Sequence, residues 1–315
     1  NILDPSDFGE YSLIKNIIQI GSAFAILGID QSYVRCYKIN KNRLTYWLGI
    51  IIIIPFMSIG ISVLAGFVYK FDIVKINILF ISIALGAILI FLSSYYRIKN
   101  QYTSAQILQS GWKLIFLISL LITLMMGGFL SIERIYYFVG FSFVLLFSTN
   151  AFINKDKIKV LFFLFTKYDM SHLFAEVKNI INKSLILWLI NFLGLLFIGL
   201  DRFIIPFISS KEILGVYYAY SFLFTIGFTM LSSSIGYVLF TKLSTEKNII
   251  WGKLLIFILF TSSGLYLLLY FTGEGIIKYL YHGRYDEYFN NNILLLFISI
   301  GIIQLFHSII HFIIY

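Results

Sequence analysis

Residues 48–68 read LGIIIIIPFMSIGISVLAGFV, a stretch without a single charged side chain. At a rise of about 1.5 Å per residue, a helix of this length crosses a hydrocarbon layer of roughly 30 Å. Strands of a membrane barrel would instead alternate between apolar and polar residues over about ten positions. The stretch therefore predicts a transmembrane helix.

The same pattern recurs along the chain. Of its 315 residues, 59% are hydrophobic and 12% are charged, whereas charged residues make up about 25% of an ordinary soluble domain. The apolar runs predict nine spans, at 11–32, 44–70, 76–97, 107–128, 136–154, 183–207, 214–240, 250–273 and 292–315. The predicted fold class is all-α: a polytopic transmembrane helical bundle.

The segment 155–182 is too polar to cross the membrane. It mixes Lys155, Lys157 and Lys159 with apolar residues such as Leu161 and Phe165. A helix of that composition lies in the membrane interface. We therefore expect an amphipathic cytoplasmic connector between two helical bundles.

The net charge of +9 does not indicate a nucleic-acid partner, because the basic residues fall mainly in short loops between predicted helices. Sixteen of the 24 basic residues, Lys113 among them, fall on the side reached after the first span. Cytoplasmic loops carry the excess of Lys and Arg, so the N-terminus is predicted to lie outside. The single Cys36 excludes a disulfide framework and a multi-cysteine metal site.

Two stretches, 4–12 (DPSDFGEYS) and 210–218 (SKEILGVYY), can be aligned with an offset of 206 residues. Each places Gly, any residue and Tyr at the start of a predicted helix. The second copy follows a complete helix, and the equivalent helix of the first copy would precede Asn1. The repeat predicts two six-helix lobes: residues 1–154 lacking a first helix, and residues 183–315 cut after a fourth. We therefore expect the chain to be a fragment; coincidence is the alternative, because Gly-x-Tyr is a short match.

Three predicted helices carry polar residues along one face at helical spacing. These faces are formed by Tyr11, Ser12, Lys15, Gln19, Ser22 and Asp30; by Ser184, Asn191, Gly194, Asp201 and Arg202; and by Tyr218, Ser221, Thr225, Thr229, Ser232 and Gly236. The repeat offset aligns Lys15 with Ser221 and Gln19 with Thr225. The same face is thus polar in both predicted lobes, as expected for the lining of a transport cavity.

Each of these residues also has a simpler interpretation. Small polar residues let helices pack closely and form hydrogen bonds across the contact, which suits the serines and threonines. Arg202, roughly 8 Å inside its predicted helix, could pair with Asp201 or extend to the interface. Lys15 could anchor its helix at the interface, and Arg35 could be an ordinary positive-inside anchor or meet an anionic lipid headgroup.

Signatures of enzymes and cofactors are absent from the sequence. His307 and His311 have helical spacing but lack the intervening Glu of a zinc protease motif. No phosphate-binding loop or dinucleotide fingerprint occurs. We expect no catalytic residues, no metal and no cofactor.

Several short motifs resemble those of a transporter family. Residues 4–11 and 28–37 resemble the loop after the first helix and the end of the second helix of Wzx-type polysaccharide flippases, within the multidrug/oligosaccharidyl-lipid/polysaccharide exporter superfamily. Residues 200–204 and 214–217 resemble the seventh helix and the start of the eighth. The resemblance places the family's Asp-Arg position on Asp201 and Arg202.

The resemblance implies that the protein moves undecaprenyl-diphosphate-linked oligosaccharides, such as O-antigen or capsule repeat units, across the bacterial cytoplasmic membrane by alternating access. Its partners would be the lipid-linked oligosaccharide, membrane lipids and other glycan-assembly membrane proteins. The expected cavity residues are Arg202, Asp201, Asn191, Lys15, Gln19, Asp30, Arg35, Ser221, Thr225 and Thr229. The alternatives are a cation-coupled drug or metabolite exporter of the same superfamily and a membrane enzyme of glycan assembly.

Overall fold

The computed structural model describes residues 4–36, 43–126, 131–154, 170–245, 251–281 and 290–314. Within these ranges the chain is helical apart from short connections, and no strand occurs. The helices are α1 (Pro5–Ala25), α2 (Ile29–Cys36), α3 (Arg43–Tyr69), α4 (Ile73–Ile98), α5 (Tyr102–Met125), α6 (Ile132–Ile153), α7 (Met170–Ile208), α8 (Lys211–Thr245), α9 (Trp251–Tyr281) and α10 (Asn291–Ile314). The all-α prediction is confirmed.

Six of the described helical segments are long and apolar enough to cross a membrane. They are Tyr46–Tyr69, Ile73–Ile98, Tyr102–Met125, Ile132–Ile153, Lys211–Ser232 and Leu255–Tyr281. Each coincides with a predicted span. The other three predicted spans fall on α1 with α2, on α7 and on α10. The protein is therefore a multi-pass membrane protein.

One predicted span is not a single helix. The expected helix 11–32 is interrupted at Leu27 and Gly28, whose φ angles are 49° and 68°. Gly28 lies directly against α7, because a Cβ added to it would be 2.9 Å from the carbonyl oxygen of Ser184 and 2.9 Å from the backbone nitrogen of Trp188. Glycine satisfies both demands of this position, the left-handed backbone and the close approach of another helix.

Contacts divide the chain into two compact units, Leu13–Phe203 and a second unit of Asn1–Ser12 with Ile204–Tyr315. In the first unit, α4 packs against α2, α3, α5 and α6. Helix α1 reaches α4 at Gly86, where an added Cβ would lie 2.4 Å from the Ser22 hydroxyl oxygen. The Ser22 hydroxyl donates to the Ile83 carbonyl at 3.2 Å. A glycine and a small hydroxyl side chain thus let the two helices pack closely at this crossing.

The second unit is built on α8 and α10. Its core contains Tyr220, Phe224, Phe228 and Phe297, all buried. Glycine again permits close packing, since a Cβ on Gly301 would lie 2.4 Å from the Phe228 ring. Aromatic side chains thus fill the contact between two apolar helices.

The start of α1 crosses the start of α8 within this second unit. A Cβ on Gly9 would lie 1.9 Å from the Lys211 carbonyl oxygen, and a Cβ on Gly215 would lie 1.8 Å from the Pro5 carbonyl oxygen. Pro5 and Lys211 differ by 206 positions, as do Gly9 and Gly215. The residues that the proposed repeat aligns are therefore in contact, and each Gly occupies the equivalent place against the other helix.

The predicted lobe boundaries, 1–154 and 183–315 with a connector at 155–182, stay a prediction. Residues 155–169 lie outside the described residues, and residues 170–182 form the beginning of α7.

Candidate substrate-binding residues at membrane depth

Helix α1 packs on two sides and leaves a polar face between them. On one side, Asn16 donates its amide N–H to the Gly199 carbonyl of α7 at 2.9 Å, and the Phe24 ring lies 5.0 Å from that of Trp188. On the other side, Ser22 contacts α4. Lys15 and Gln19 lie at angles between these contacts; Gln19 is exposed and Lys15 is half-buried. Both therefore lie on the face of α1 that these two contacts leave.

Asp30, one of the predicted cavity residues, is buried at the start of α2. Asp30 is 6% exposed, and its carboxylate interacts with the Ser94 hydroxyl and the Arg97 guanidinium. Arg97 in turn donates to the Ser94 hydroxyl oxygen at 2.8 Å. The three side chains join α2 to the end of α4. This arrangement favours a packing role for Asp30 over direct contact with a ligand.

Asp201 and Arg202 lie near the end of α7, and both side chains are half-buried. The Arg202 backbone N–H donates to the Asp201 carboxylate at 2.8 Å. Arg202 is six residues, or about 9 Å, from Ile208 at the end of the helix. Arg202 therefore lies within the length of the helix rather than at its end. At this position an anionic ligand could replace the water around the guanidinium group.

Two other predicted residues cannot be placed. The side chains of Asn191 and Arg35 lie outside the described residues. Ser184, on the same predicted face as Asn191, is buried and donates to the Ile181 carbonyl at 3.0 Å. Its backbone contact with Gly28 makes this part of the α7 face a helix–helix contact, as the simpler interpretation expected.

The hydroxyls predicted on α8 bond to their own helix. Thr225 donates to the Ser221 carbonyl at 2.6 Å, and Thr229 donates to the Ile226 carbonyl at 2.8 Å. Ser221 and Thr225 are buried, whereas Thr229 is exposed. Of the three, Thr229 is the one placed to meet a ligand.

Lys113 was not among the predicted site residues. It was assigned to the loops of the inner side, and that assignment is wrong, because Lys113 lies at the centre of the 24-residue α5. The helix begins at Tyr102, five residues before the start of the predicted span. Lys113 is therefore in the middle of the helix rather than near one end of it. A charge at this depth costs about 3 kcal/mol in lipid, so it indicates a polar surrounding.

Among the described residues, no group of three His, Cys, Asp or Glu side chains could hold a metal ion. The candidate residues are instead cations and amide or hydroxyl groups within the described helices. Such groups bind anions and sugars through charge-assisted and ordinary hydrogen bonds.

The fold and these residues together define a class, a helical multi-pass membrane protein with basic side chains within its helices. Residues 1–290 match the model of a family described as polysaccharide biosynthesis protein. The chain belongs to this family, which agrees with the resemblance to Wzx-type flippases. No curated protein and no solved structure matches it. The family and the helical bundle together indicate a transporter rather than an enzyme.

Proposed function

We propose that the protein translocates undecaprenyl-diphosphate-linked oligosaccharides across the bacterial cytoplasmic membrane by alternating access. The family supports a role in polysaccharide biosynthesis. The observation that supports the finer proposal is a set of cations within helices: Lys113 in a membrane-spanning segment, and Lys15 and Arg202 in helices that cover predicted spans. A diphosphate needs a cation to leave water. Other glycan-assembly membrane proteins would deliver and receive this lipid.

The cargo has three parts, and each requires a different surrounding. The polyprenyl tail remains in lipid, where it needs no protein group. The diphosphate binds the guanidinium of Arg202 and the ammonium of Lys15, because charge-assisted hydrogen bonds are the strongest that a protein can offer it. The sugars bind amide groups such as that of Gln19. The transport cycle then exposes these groups to one side of the membrane and next to the other.

Replacing Arg202 by alanine in the full-length protein should reduce surface glycan about tenfold or more in a strain that lacks the native gene. A hydrogen bond to a charged group contributes about 1.5–3 kcal/mol, and this contribution would be lost. Arg202→Lys should retain part of the activity, because it keeps the charge but loses the bidentate geometry. The measurement is surface glycan per cell, normalised to the amount of protein in the membrane.

Arg134→Ala is the matched control, since Arg134 is exposed in the first turn of α6. It removes the same side chain without touching the proposed site, so glycan should stay near the wild-type amount. Unchanged glycan in Arg202→Ala would remove the main support for a cationic site. Loss of drug resistance with intact glycan would instead favour an exporter of drugs or metabolites.

Labelling of single cysteines tests the proposed orientation, with the N-terminus outside. In a Cys36→Ala background, Ser210→Cys should react with a membrane-impermeant maleimide in intact cells, because the exposed connection between α7 and α8 would face outward. Lys99→Cys, at the exposed end of α4, should react only after permeabilisation. The reverse pattern would show that the N-terminus lies inside, and it would contradict the orientation predicted from the positive-inside rule.

A further inference from the structure

Two helices pass from one compact unit to the other. The boundary falls between Ser12 and Leu13 in α1 and between Phe203 and Ile204 in α7. Both points lie within helices, so a movement of one unit would have to bend α1 or α7. A helix bends where its backbone hydrogen bonds are interrupted, most often at a proline.

Helix α7 has such an interruption at Pro206, three residues after Phe203. Proline has no N–H, so the hydrogen bond that residue 206 would donate to the Arg202 carbonyl is missing from the helix. The helix nevertheless continues to Ile208, which shows that Pro206 does more than end it. The turn 202–206 is therefore the weakest part of α7 near the boundary, and it carries the proposed diphosphate ligand Arg202.

Two neighbouring helices hold α7 just before this turn. Asn16 of α1 donates its amide N–H to the Gly199 carbonyl at 2.9 Å, and the Tyr69 hydroxyl of α3 donates to the Phe203 carbonyl at 3.2 Å. Gly199 and Phe203 are one helical turn apart, so their carbonyls lie on the same side of α7. All four residues belong to the first unit. The helix is thus fixed up to the boundary, and the turn that follows lacks a backbone hydrogen bond at Pro206.

We propose that residues 202–206 of α7 form a hinge that bends during the transport cycle, and that Asn16 and Tyr69 are positioning residues that hold it in the orientation of this structure. This inference rests on the proposed function, because it places the moving turn at the ligand Arg202. Bending changes the direction of the Arg202 side chain, and with it the side of the membrane from which a ligand reaches the guanidinium.

The first experiment replaces Pro206 in the full-length protein. Pro206→Ala supplies the missing N–H and stiffens the helix, so surface glycan should fall roughly fivefold or more. The midpoint of thermal unfolding should stay the same or rise, because alanine is a better helix former than proline. Pro206→Gly should retain more transport than Pro206→Ala, since glycine also allows the helix to bend.

Pro55→Ala is the matched control for Pro206→Ala. Pro55 also lies inside a helix, but this helix, α3, belongs entirely to the first unit. Pro55→Ala should therefore leave surface glycan near the wild-type amount. A proline with a merely structural role at 206 would give either unchanged transport or a loss that follows a lower unfolding temperature.

A second experiment measures the bend by electron paramagnetic resonance, as the distance between spin labels at Val74→Cys and Ser209→Cys in the full-length protein without its native cysteines. Both positions are exposed. Wild type should show two distances, and undecaprenyl diphosphate should change their ratio, whereas Pro206→Ala should show one distance. Tyr69→Phe should change the ratio roughly twofold to tenfold, the factor that corresponds to one hydrogen bond.

Tyr102→Phe is the control for Tyr69→Phe, because the Tyr102 hydroxyl bonds to Asn100 at an exposed site. If Pro206→Ala does not yield folded protein, Tyr69→Phe provides an independent measurement. Wild-type glycan with two unchanged distances in Pro206→Ala would overturn the hinge and leave Arg202 as a ligand, and a single distance in wild type would also overturn it. Two distances that Pro206→Ala reduces to one, but that undecaprenyl diphosphate leaves unchanged in wild type, would support the hinge and contradict the proposed substrate.

Discussion

Gly9→Ala and Gly215→Ala should each destabilise the folded protein by about 1–3 kcal/mol and abolish most of the glycan transport. The added methyl group of either variant would lie within 2 Å of a backbone carbonyl oxygen on the other helix, 1.9 Å from Lys211 in one case and 1.8 Å from Pro5 in the other. Backbone atoms cannot rotate away as a flexible side chain can. The start of α1 and the start of α8 would have to separate.

The helix propensity of alanine acts in the opposite direction. Alanine is favoured over glycine by about 1 kcal/mol in a helix interior, so a destabilised variant would show that the lost contact outweighs this gain. Separation of the helices would also lengthen the bond from Lys211 to Glu10, now 2.6 Å, and the contact of Phe8 with Tyr218, whose ring centroids are 5.3 Å apart. The ion pair and the ring contact therefore both depend on the same close approach of the two helices.

Gly264→Ala is the matched control for this experiment, because an added Cβ there meets nothing within 4 Å. It should raise or preserve the midpoint of thermal unfolding in detergent, whereas Gly9→Ala and Gly215→Ala should lower it. The double variant should lose less stability than the sum of the two single losses, since both methyl groups disturb one crossing. Equal stability of the three alanine variants would show that the crossing tolerates a Cβ.

The sequence predicted the fold well because membrane spans are encoded locally. The run at 48–68 has the length and composition of a span whatever its neighbours are, and the same holds for the other five segments that match. The interruption at Gly28 was not predictable in this way. A single glycine in an apolar run is tolerated in a continuous helix, and the close approach of α7 becomes visible only in the folded chain.

The candidate site was less predictable than the fold. Periodicity identifies a polar face but not its neighbour, so the contacts of Ser22 and Asp30 with α4 could not be predicted from the sequence. Lys113 was missed for another reason. The polar residues at the start of α5 resemble a loop, and a loop assignment hides the regular spacing that links them to Lys113. Gln109, Ser110 and Lys113 all lie within the predicted span 107–128, so a search of that span for polar stripes would have found them.

Gly28→Ala should destabilise the protein by about 2 kcal/mol or more, and this is the second large effect that we expect. An L-residue at a φ of 68° costs about 1–2 kcal/mol by itself. The added Cβ would also lie 2.9 Å from the Ser184 carbonyl oxygen and 3.0 Å from the Trp188 Cβ. Separation of α7 would weaken the packing of Trp188 and Phe192 around Phe24, with centroids at 5.0 Å and 4.9 Å.

Gly28→Asn separates the two causes of this loss. Asparagine adopts the left-handed conformation more readily than alanine, but it carries the same Cβ toward α7. If close approach dominates, both variants should unfold at lower temperature than wild type by similar amounts; if the backbone angle dominates, Asn should recover much of the stability. Gly60→Ala is the control, because its Cβ would meet nothing within 4 Å. Wild-type stability in both Gly28 variants would mean that neither the helix interruption nor its contact with α7 depends on glycine.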